Sequence, residues 1–214
     1  MYQPSLRLWN QAPTIAPCQL EAIAIPDGEL LWGEHFWQEA GEDADEVFRR
    51  LHDQVAWRQD YITIYGRRQP QPRLTAWYGD PGATYCYSGL ILKPRPWLPI
   101  LQHLKSQVES AAQTRFNSVL LNLYRTGQDG MGWHSDNESE LGRNPVIASL
   151  SFGATRRFVM RHCQRRDEAK VELPLNHGSL LVMKGKTQHH WQHQVPKTVK
   201  PVGPRINLTF RLIR

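Results

Sequence analysis

His134 and Asp136, followed far downstream by His193, are the residues of this chain best suited to hold a metal. Two histidines and one carboxylate form the donor set of non-haem Fe(II) sites, which leaves three coordination positions open for a co-substrate and dioxygen. On extended backbone, residues i and i+2 leave the same face, so His134 and Asp136 could grip one ion. With nine histidines in 214 residues, a His-x-Asp pair arises easily by chance and needs a second signal.

That signal lies at the C-terminal end. Arg205, Asn207, Thr209 and Arg211 alternate there with Ile206, Leu208, Phe210 and Leu212, so a strand would gather the four polar side chains on one face. Two arginines, an amide and a hydroxyl make a poor core, but they suit a small dianion gripped by charge-assisted forks at each end, such as 2-oxoglutarate. An edge strand with a solvated basic face is the plainer alternative, and the preceding metal donors weigh against it.

Elements that must position these groups follow from periodicity. Val47, Phe48, Leu51 and Val55 lie at helical spacing between Asp43 and Trp57, with Asp43 or Asp45 as N-cap. A second helix is expected to start near Pro96 and to carry Leu98, Leu101, Leu104, Val108 and Ala111 on one face, packed outside a sheet. Beyond Phe116, residues 118–125, 146–152, 157–161, 171–175, 179–183 and 205–213 read as strands. Successive strands without intervening helices argue for an antiparallel double sheet. On the first of them Asn122 and Tyr124 share a face opposite Val119, Leu121 and Leu123, and can look inward. Residues 1 to about 40, punctuated by Pro4, Pro13, Pro17 and Pro26, read as a loosely structured arm closing onto the core.

From about Thr63 to Arg214, about two thirds of its length, the chain resembles the AlkB family of Fe(II)/2-oxoglutarate-dependent nucleic-acid dealkylases. Within that family it is most similar to the type that repairs double-stranded DNA. The runs that carry the resemblance are Tyr78-Gly-Asp80, Pro96-Trp97, His134-x-Asp136, Ser149-x-Ser-Phe-Gly153, Gly178-Ser-Leu-Leu181 and Arg205-x-Asn-Leu-Thr-Phe-Arg211.

The resemblance implies a mainly β fold with flanking helices, in which a double-stranded β-helix (jelly-roll) core follows an N-terminal nucleotide-recognition lid. The expected layout is an arm over 1–40 and one dioxygenase domain over 41–214, with the lid at about 60–90 and the core at about 116–214. It implies Fe(II), 2-oxoglutarate and O2, with His134, Asp136 and His193 as ligands. His189 and His190 crowd the same segment; matching to the family selects His193, and His190 is the alternative. Asn122, Tyr124, Arg205, Asn207, Thr209 and Arg211 are expected to bind the co-substrate, the two arginines neutralising its carboxylates.

The implied reaction hydroxylates the N-methyl group of 1-methyladenine or 3-methylcytosine, which then leaves as formaldehyde and restores the unmodified base; etheno adducts are further candidates. Such a base must be flipped from its duplex. The segment from Ile64 to Arg73 matches the family's duplex-probing hairpin, with Tyr65 as the wedge and Arg67, Arg68 and Arg73 on phosphates. Tyr85 and Tyr87 match positions that contact the flipped base, Tyr87 stacking opposite His134. Glu138 is placed to read the exocyclic group, beside Asn137, where the nearest relatives commonly carry an acid. Lys197 and Lys200 precede Arg205 as clamps for the complementary strand.

Composition accords with these expectations. The formal charge of +6 and pI near 9.4 favour a polyanionic partner, expected to be alkylated DNA, duplex or single-stranded, with RNA as the alternative. Cys18, Cys86 and Cys163 are odd in number and lack Cys-x-x-Cys spacing, which indicates neither a disulfide framework nor a zinc site. No apolar run approaches a membrane span, so a soluble monomer is expected, cytoplasmic and nucleoid-associated in a bacterium or nuclear in a eukaryote. Two competing classes remain: a 2-oxoglutarate oxygenase acting on RNA, protein or a small molecule, and a non-catalytic DNA-binding module.

Overall fold

A computed structural model describes residues 20–64, 66–87 and 90–214. In chain order, the elements are β1 (Glu21–Ile25), β2 (Gly28–Gly33), α1 (Phe36–Glu39), α2 (Ala44–Gln54), β3 (Tyr61–Ile64), β4 (Arg67–Pro70) and β5 (Leu74–Gly79). They continue with β6 (Tyr85–Tyr87), β7 (Leu90–Leu92), α3 (Pro99–Ala112), β8 (Ser118–Tyr124), β9 (Met131–His134), β10 (Ile147–Gly153) and β11 (Arg156–His162). The last are β12 (Val171–Leu175), β13 (Leu180–Lys184), α4 (Thr187–His190), β14 (Trp191–Val195) and β15 (Arg205–Arg211).

Two antiparallel sheets form the jelly roll. The larger runs β1-β2-β13-β10-β15-β8-β5 and the smaller β12-β11-β14-β9. Their two faces explain the alternation in β15. Ile206, Leu208 and Phe210 join Val119, Leu121, Leu123, Leu150 and Phe152 in a core covered by Val47 and Leu51 of α2 and by Leu101, Leu104 and Val108 of α3. Arg205, Asn207, Thr209 and Arg211 turn the other way, into the space between the sheets. That space is otherwise closed by apolar groups from both sheets, among them Ile147, Met183, Phe158, Leu175 and Val195.

Asp43 is the N-cap of α2, accepting from the N–H groups of Asp45 at 2.9 Å and Glu46 at 3.3 Å. The second helix begins later than expected, at Pro99 rather than near Pro96. A residue before proline avoids the helical region, and Leu98 accordingly holds an extended φ of −78° and ψ of 149°.

Three further expectations are corrected. Within the presumed arm, β1 and β2 form a hairpin whose second strand pairs with β13, so residues 21–33 belong to the large sheet. Pro26 marks its turn, where Asp27 takes a φ of 54°. The strands β9 and β14 escaped detection because they are short and rich in polar groups, and they carry the candidate ligands. Finally β5, inside the span expected for the lid, is the edge strand of the large sheet; the hairpin β3–β4 and the pair β6–β7 are separate two-stranded units. Among the described residues, no helix is long and apolar enough to cross a membrane.

Candidate metal centre and carboxylate pocket

Antiparallel pairing sets His134 on β9 opposite His193 on β14, and their ring centroids lie 4.2 Å apart. Asp136 has already left the strand. Its backbone N–H donates to Oε1 of Gln188 at 2.8 Å, which turns the carboxylate back toward the histidines, with Oδ2 3.7 Å from Nε2 of His193. The candidate donor atoms of all three residues lie within 4.8 Å of one another. Nδ1 of His134 sits 2.9 Å from the Gly132 carbonyl oxygen; donating there, it leaves the Nε2 lone pair for a metal.

Electrostatics suit the donor set. Burial, reinforced by His134, lowers the pKa of His193 to about 3 against the pull of Asp136, so its imidazole stays neutral. Burial alone would raise Asp136, but the adjacent Arg211 guanidinium outweighs it and holds the carboxyl below the usual carboxylate range. Two neutral nitrogens and one anionic oxygen are what a divalent ion such as Fe(II) requires.

Among the described residues one other group has the composition of a metal site: Asp27, His162 and His190. It is a hydrogen-bonded cluster instead. Nδ1 of His162 accepts from the N–H groups of Gln164 at 3.2 Å and Arg165 at 2.9 Å. The ring proton therefore sits on Nε2, facing Asp27 Oδ2 at 3.3 Å, and no lone pair remains for an ion. His190 stacks on His162, and His189 lies against the Arg143 carbonyl and Asn144. Neither joins His134 and Asp136.

A small cavity of about 40 Å³ continues from the metal donors between the sheets. Register brings its polar wall together: Arg205 pairs with Tyr124 and Asn207 with Asn122 across β15 and β8, while Thr209 pairs with Ser149 across β15 and β10. Asn207 Nδ2 donates to Ser149 Oγ at 2.8 Å, and Thr209 Oγ1 to Asn207 Oδ1 at 3.1 Å. Arg205 is 1% exposed; one nitrogen donates to Ser151 Oγ at 2.9 Å, whereas its Nε and a second terminal nitrogen have no partner. Burial draws its pKa down to about 10 even beside Tyr124, so it remains a cation at neutral pH. Arg211 donates to Asp136 Oδ1 and keeps an unpartnered buried Nε. Unpaired buried N–H groups on two guanidiniums are costly, and carboxylates are the groups that satisfy them.

The candidate nucleic-acid residues lie elsewhere. Arg67 is exposed on β4, and Arg68 stacks over the Tyr61 ring at 4.4 Å. Arg73 sits at the foot of the hairpin, half-buried, and its Nε donates to Asn122 Oδ1 at 2.8 Å. Tyr65 lies outside the described residues, and Tyr85 and Tyr87 begin and end β6. Asn137 is exposed, whereas Glu138 is half-buried with an unpartnered Oε2. Lys197 and Lys200 are exposed on a loop held by the Thr198 N–H donating to the Gly127 carbonyl at 2.8 Å.

Several residues in and around the site left no sequence signal of their role. Gln188, which orients Asp136, comes from α4, and Phe158 places its ring 5.2 Å from that of His193. Ser149 and Ser151 accept from Asn207 Nδ2 and from Arg205, respectively.

The family model of the 2OG-Fe(II) oxygenase superfamily matches residues 30–211. The alpha-ketoglutarate-dependent dioxygenase alkB homolog 3 of Mus musculus is 47% identical over 180 residues, 80% of this chain and 62% of that protein. The DNA oxidative demethylase ALKBH2 of Homo sapiens is 43% identical over 180 residues, 80% of this chain and 69% of that protein. The chain belongs to the AlkB family of that superfamily, and spans about three fifths of the length of the alkB homolog 3 proteins it matches. The solved structure of OsALKBH1, at 20% identity, shares the fold with a TM-score of 0.62, covering 88% of this chain and 99% of that one.

Proposed function

We propose that this protein is an Fe(II)/2-oxoglutarate-dependent dioxygenase that demethylates N-alkylated bases in DNA by direct reversal. The observation that supports this most is the continuity of one cavity from a His-Asp-His donor set to two arginines that carry buried, unpaired N–H groups. Relatives named as DNA oxidative demethylases supply the substrate class.

In this reading His134, Asp136 and His193 hold the metal. Arg205, with Tyr124 beside it, takes one carboxylate of 2-oxoglutarate; Arg211 takes the other while keeping Asp136 ionised; Asn122, Asn207 and Thr209 trim the wall. Bound there, Fe(II) with 2-oxoglutarate and O2 supplies a two-electron oxidation, one oxygen atom ending in succinate after loss of CO2 and the other in a substrate C–H bond. The N-hydroxymethyl base so formed releases formaldehyde, and its nitrogen recovers the lone pair. No protein nucleophile is required. The flipped base enters past Glu138 and Asn137, with Tyr85 and Tyr87 as stacking surfaces, Tyr65 as the wedge and Arg67 on phosphate. The protein acts as a soluble monomer on DNA, in the cytoplasm or nucleus.

The test is mass spectrometry of 1-methyladenine oligonucleotides, as duplex DNA, single-stranded DNA and RNA, incubated with Fe(II), 2-oxoglutarate and air beside His134→Ala. Loss of one methylene's mass that needs 2-oxoglutarate and vanishes in the variant is expected on DNA. Turnover on RNA alone would move the substrate class, and succinate formation without base repair on any strand would refute the dealkylase.

A further inference from the structure

Arg73 does not behave as a hairpin arginine should. The hairpin β3–β4 ends at Pro70 and the chain returns to the large sheet through Gln71, Pro72 and Arg73. This short return is pinned on every side. The Gln71 N–H donates to the Asp60 carbonyl at 2.8 Å and the Gly130 N–H to the Pro72 carbonyl at 3.0 Å. Gln59 Nε2 donates to the carbonyls of Gln71 at 2.8 Å and Arg73 at 3.2 Å. Gly130 can approach because it has no side chain; a Cβ there would lie 2.8 Å from the Val195 carbonyl oxygen.

From this fixed foot the Arg73 side chain reaches inward. Its Nε donates to Oδ1 of Asn122 at 2.8 Å, with a longer contact from a terminal nitrogen to the Gly130 carbonyl at 3.5 Å. Asn122 is 4% exposed and lines the cavity. An amide whose oxygen is taken by a guanidinium must present its NH2 elsewhere, and here the open side is the cavity. Left alone, the amide could turn by half a rotation and offer an acceptor to an anion, which repels it.

We propose that Arg73 is a positioning residue for the co-substrate pocket: it fixes the Asn122 amide with its donor side toward the dicarboxylate, and so ties co-substrate affinity to the foot of the β3–β4 hairpin. The inference rests on the proposed 2-oxoglutarate reading of the cavity. Arg73 itself is neither one of the candidate metal donors nor a residue lining the cavity.

The experiment is titration of 2-oxoglutarate into Mn(II)-loaded protein, followed by intrinsic tryptophan fluorescence and thermal shift, for wild type, Arg73→Met, Asn122→Ala and the double variant. Arg73→Met is expected to bind 2-oxoglutarate roughly tenfold more weakly, the size of one well-placed hydrogen bond, with Mn(II) affinity unchanged. In the Asn122→Ala background the same substitution is expected to change nothing further, since the arginine acts only through that amide. Arg73→Lys, which keeps the charge but lacks the Nε–H, is expected to match Arg73→Met and guards against a misfolded methionine variant. Equal losses with and without Asn122, or no loss at all, would overturn the positioning role. Wild type that binds Mn(II) but no 2-oxoglutarate would instead overturn the underlying reading of the pocket, and the inference with it.

Discussion

Arg211 donates to Oδ1 of Asp136 while Oδ2 of the same carboxylate faces Nε2 of His193 at 3.7 Å. One oxygen is thus neutralised by the cation and the other presented to the metal position. Arg211 keeps the buried acid ionised, so its removal acts on the metal without removing a donor. Arg211→Met should weaken Fe(II) or Mn(II) binding by roughly 10- to 100-fold, as loss of groups supporting a ligand does. The unpaired buried carboxylate should also lower apo-protein stability by about 3 kcal/mol. Isothermal titration of Mn(II) and urea unfolding check both, and an unchanged metal affinity would contradict the coupling.

Gln188 supports the same ligand from its backbone side, accepting from the Asp136 N–H at 2.8 Å and donating to the Met183 sulfur at 3.4 Å. Gln188→Leu keeps the volume but leaves a buried N–H unpaired, which costs about 1–3 kcal/mol. The expected outcome is weaker metal binding with all three proposed donors intact. Gln188→Glu, which retains the acceptor, should keep the backbone bond but set a second carboxylate near Asp136, so its affinity falls most at high pH.

How much of this site was legible depended on whether a residue's neighbours were local. Arg205 to Arg211 announced themselves because strict alternation sends polar groups to one face, and burial of both faces of β15 leaves no other explanation. His134 and Asp136 were found by spacing, although for a partly mistaken reason: only His134 lies on the strand, and Asp136 returns to it through Gln188. Gln188 and Arg73 depend on contacts across 52 and 49 residues of sequence, which no period or motif encodes. The β1–β2 hairpin was hidden because proline punctuation looks the same in an arm and in a tight turn.

Acid should destabilise the metal-free protein through His193. Its pKa falls from an ordinary 6.5 to about 3 on folding, chiefly by burial, so below pH 6.5 the unfolded chain takes up a proton that the folded one refuses. Stability contributed by the neutral ring is present above about pH 6.5 and is lost as pH falls toward 3, by up to about 1.4 kcal/mol per pH unit. Asp136, whose pKa is also lowered, adds a loss in the same direction below about pH 4. In chelator, urea midpoints measured from pH 7 to 4.5 should fall more steeply for wild type than for His193→Gln; parallel curves would show that the ring titrates normally.

Arg205 separates stability from binding. Two of its buried nitrogens have no partner in the protein, and burial has lowered its pKa to about 10, so the isolated fold carries a desolvated cation whose counter-ion is the proposed co-substrate. Replacing a buried charge by an apolar group of similar length is often neutral or stabilising. Arg205→Met should therefore unfold at a temperature no lower than wild type when both are free of ligand. It should also lose most of the upward shift that saturating 2-oxoglutarate gives the Mn(II)-loaded wild type, a shift that follows from binding only the folded state. Differential scanning calorimetry of four samples, each protein with and without 2-oxoglutarate, decides it. An apo variant that melts far below wild type would mean that Ser151 and Tyr124 already compensate the guanidinium, whereas an undiminished ligand shift would place the carboxylate elsewhere in the cavity.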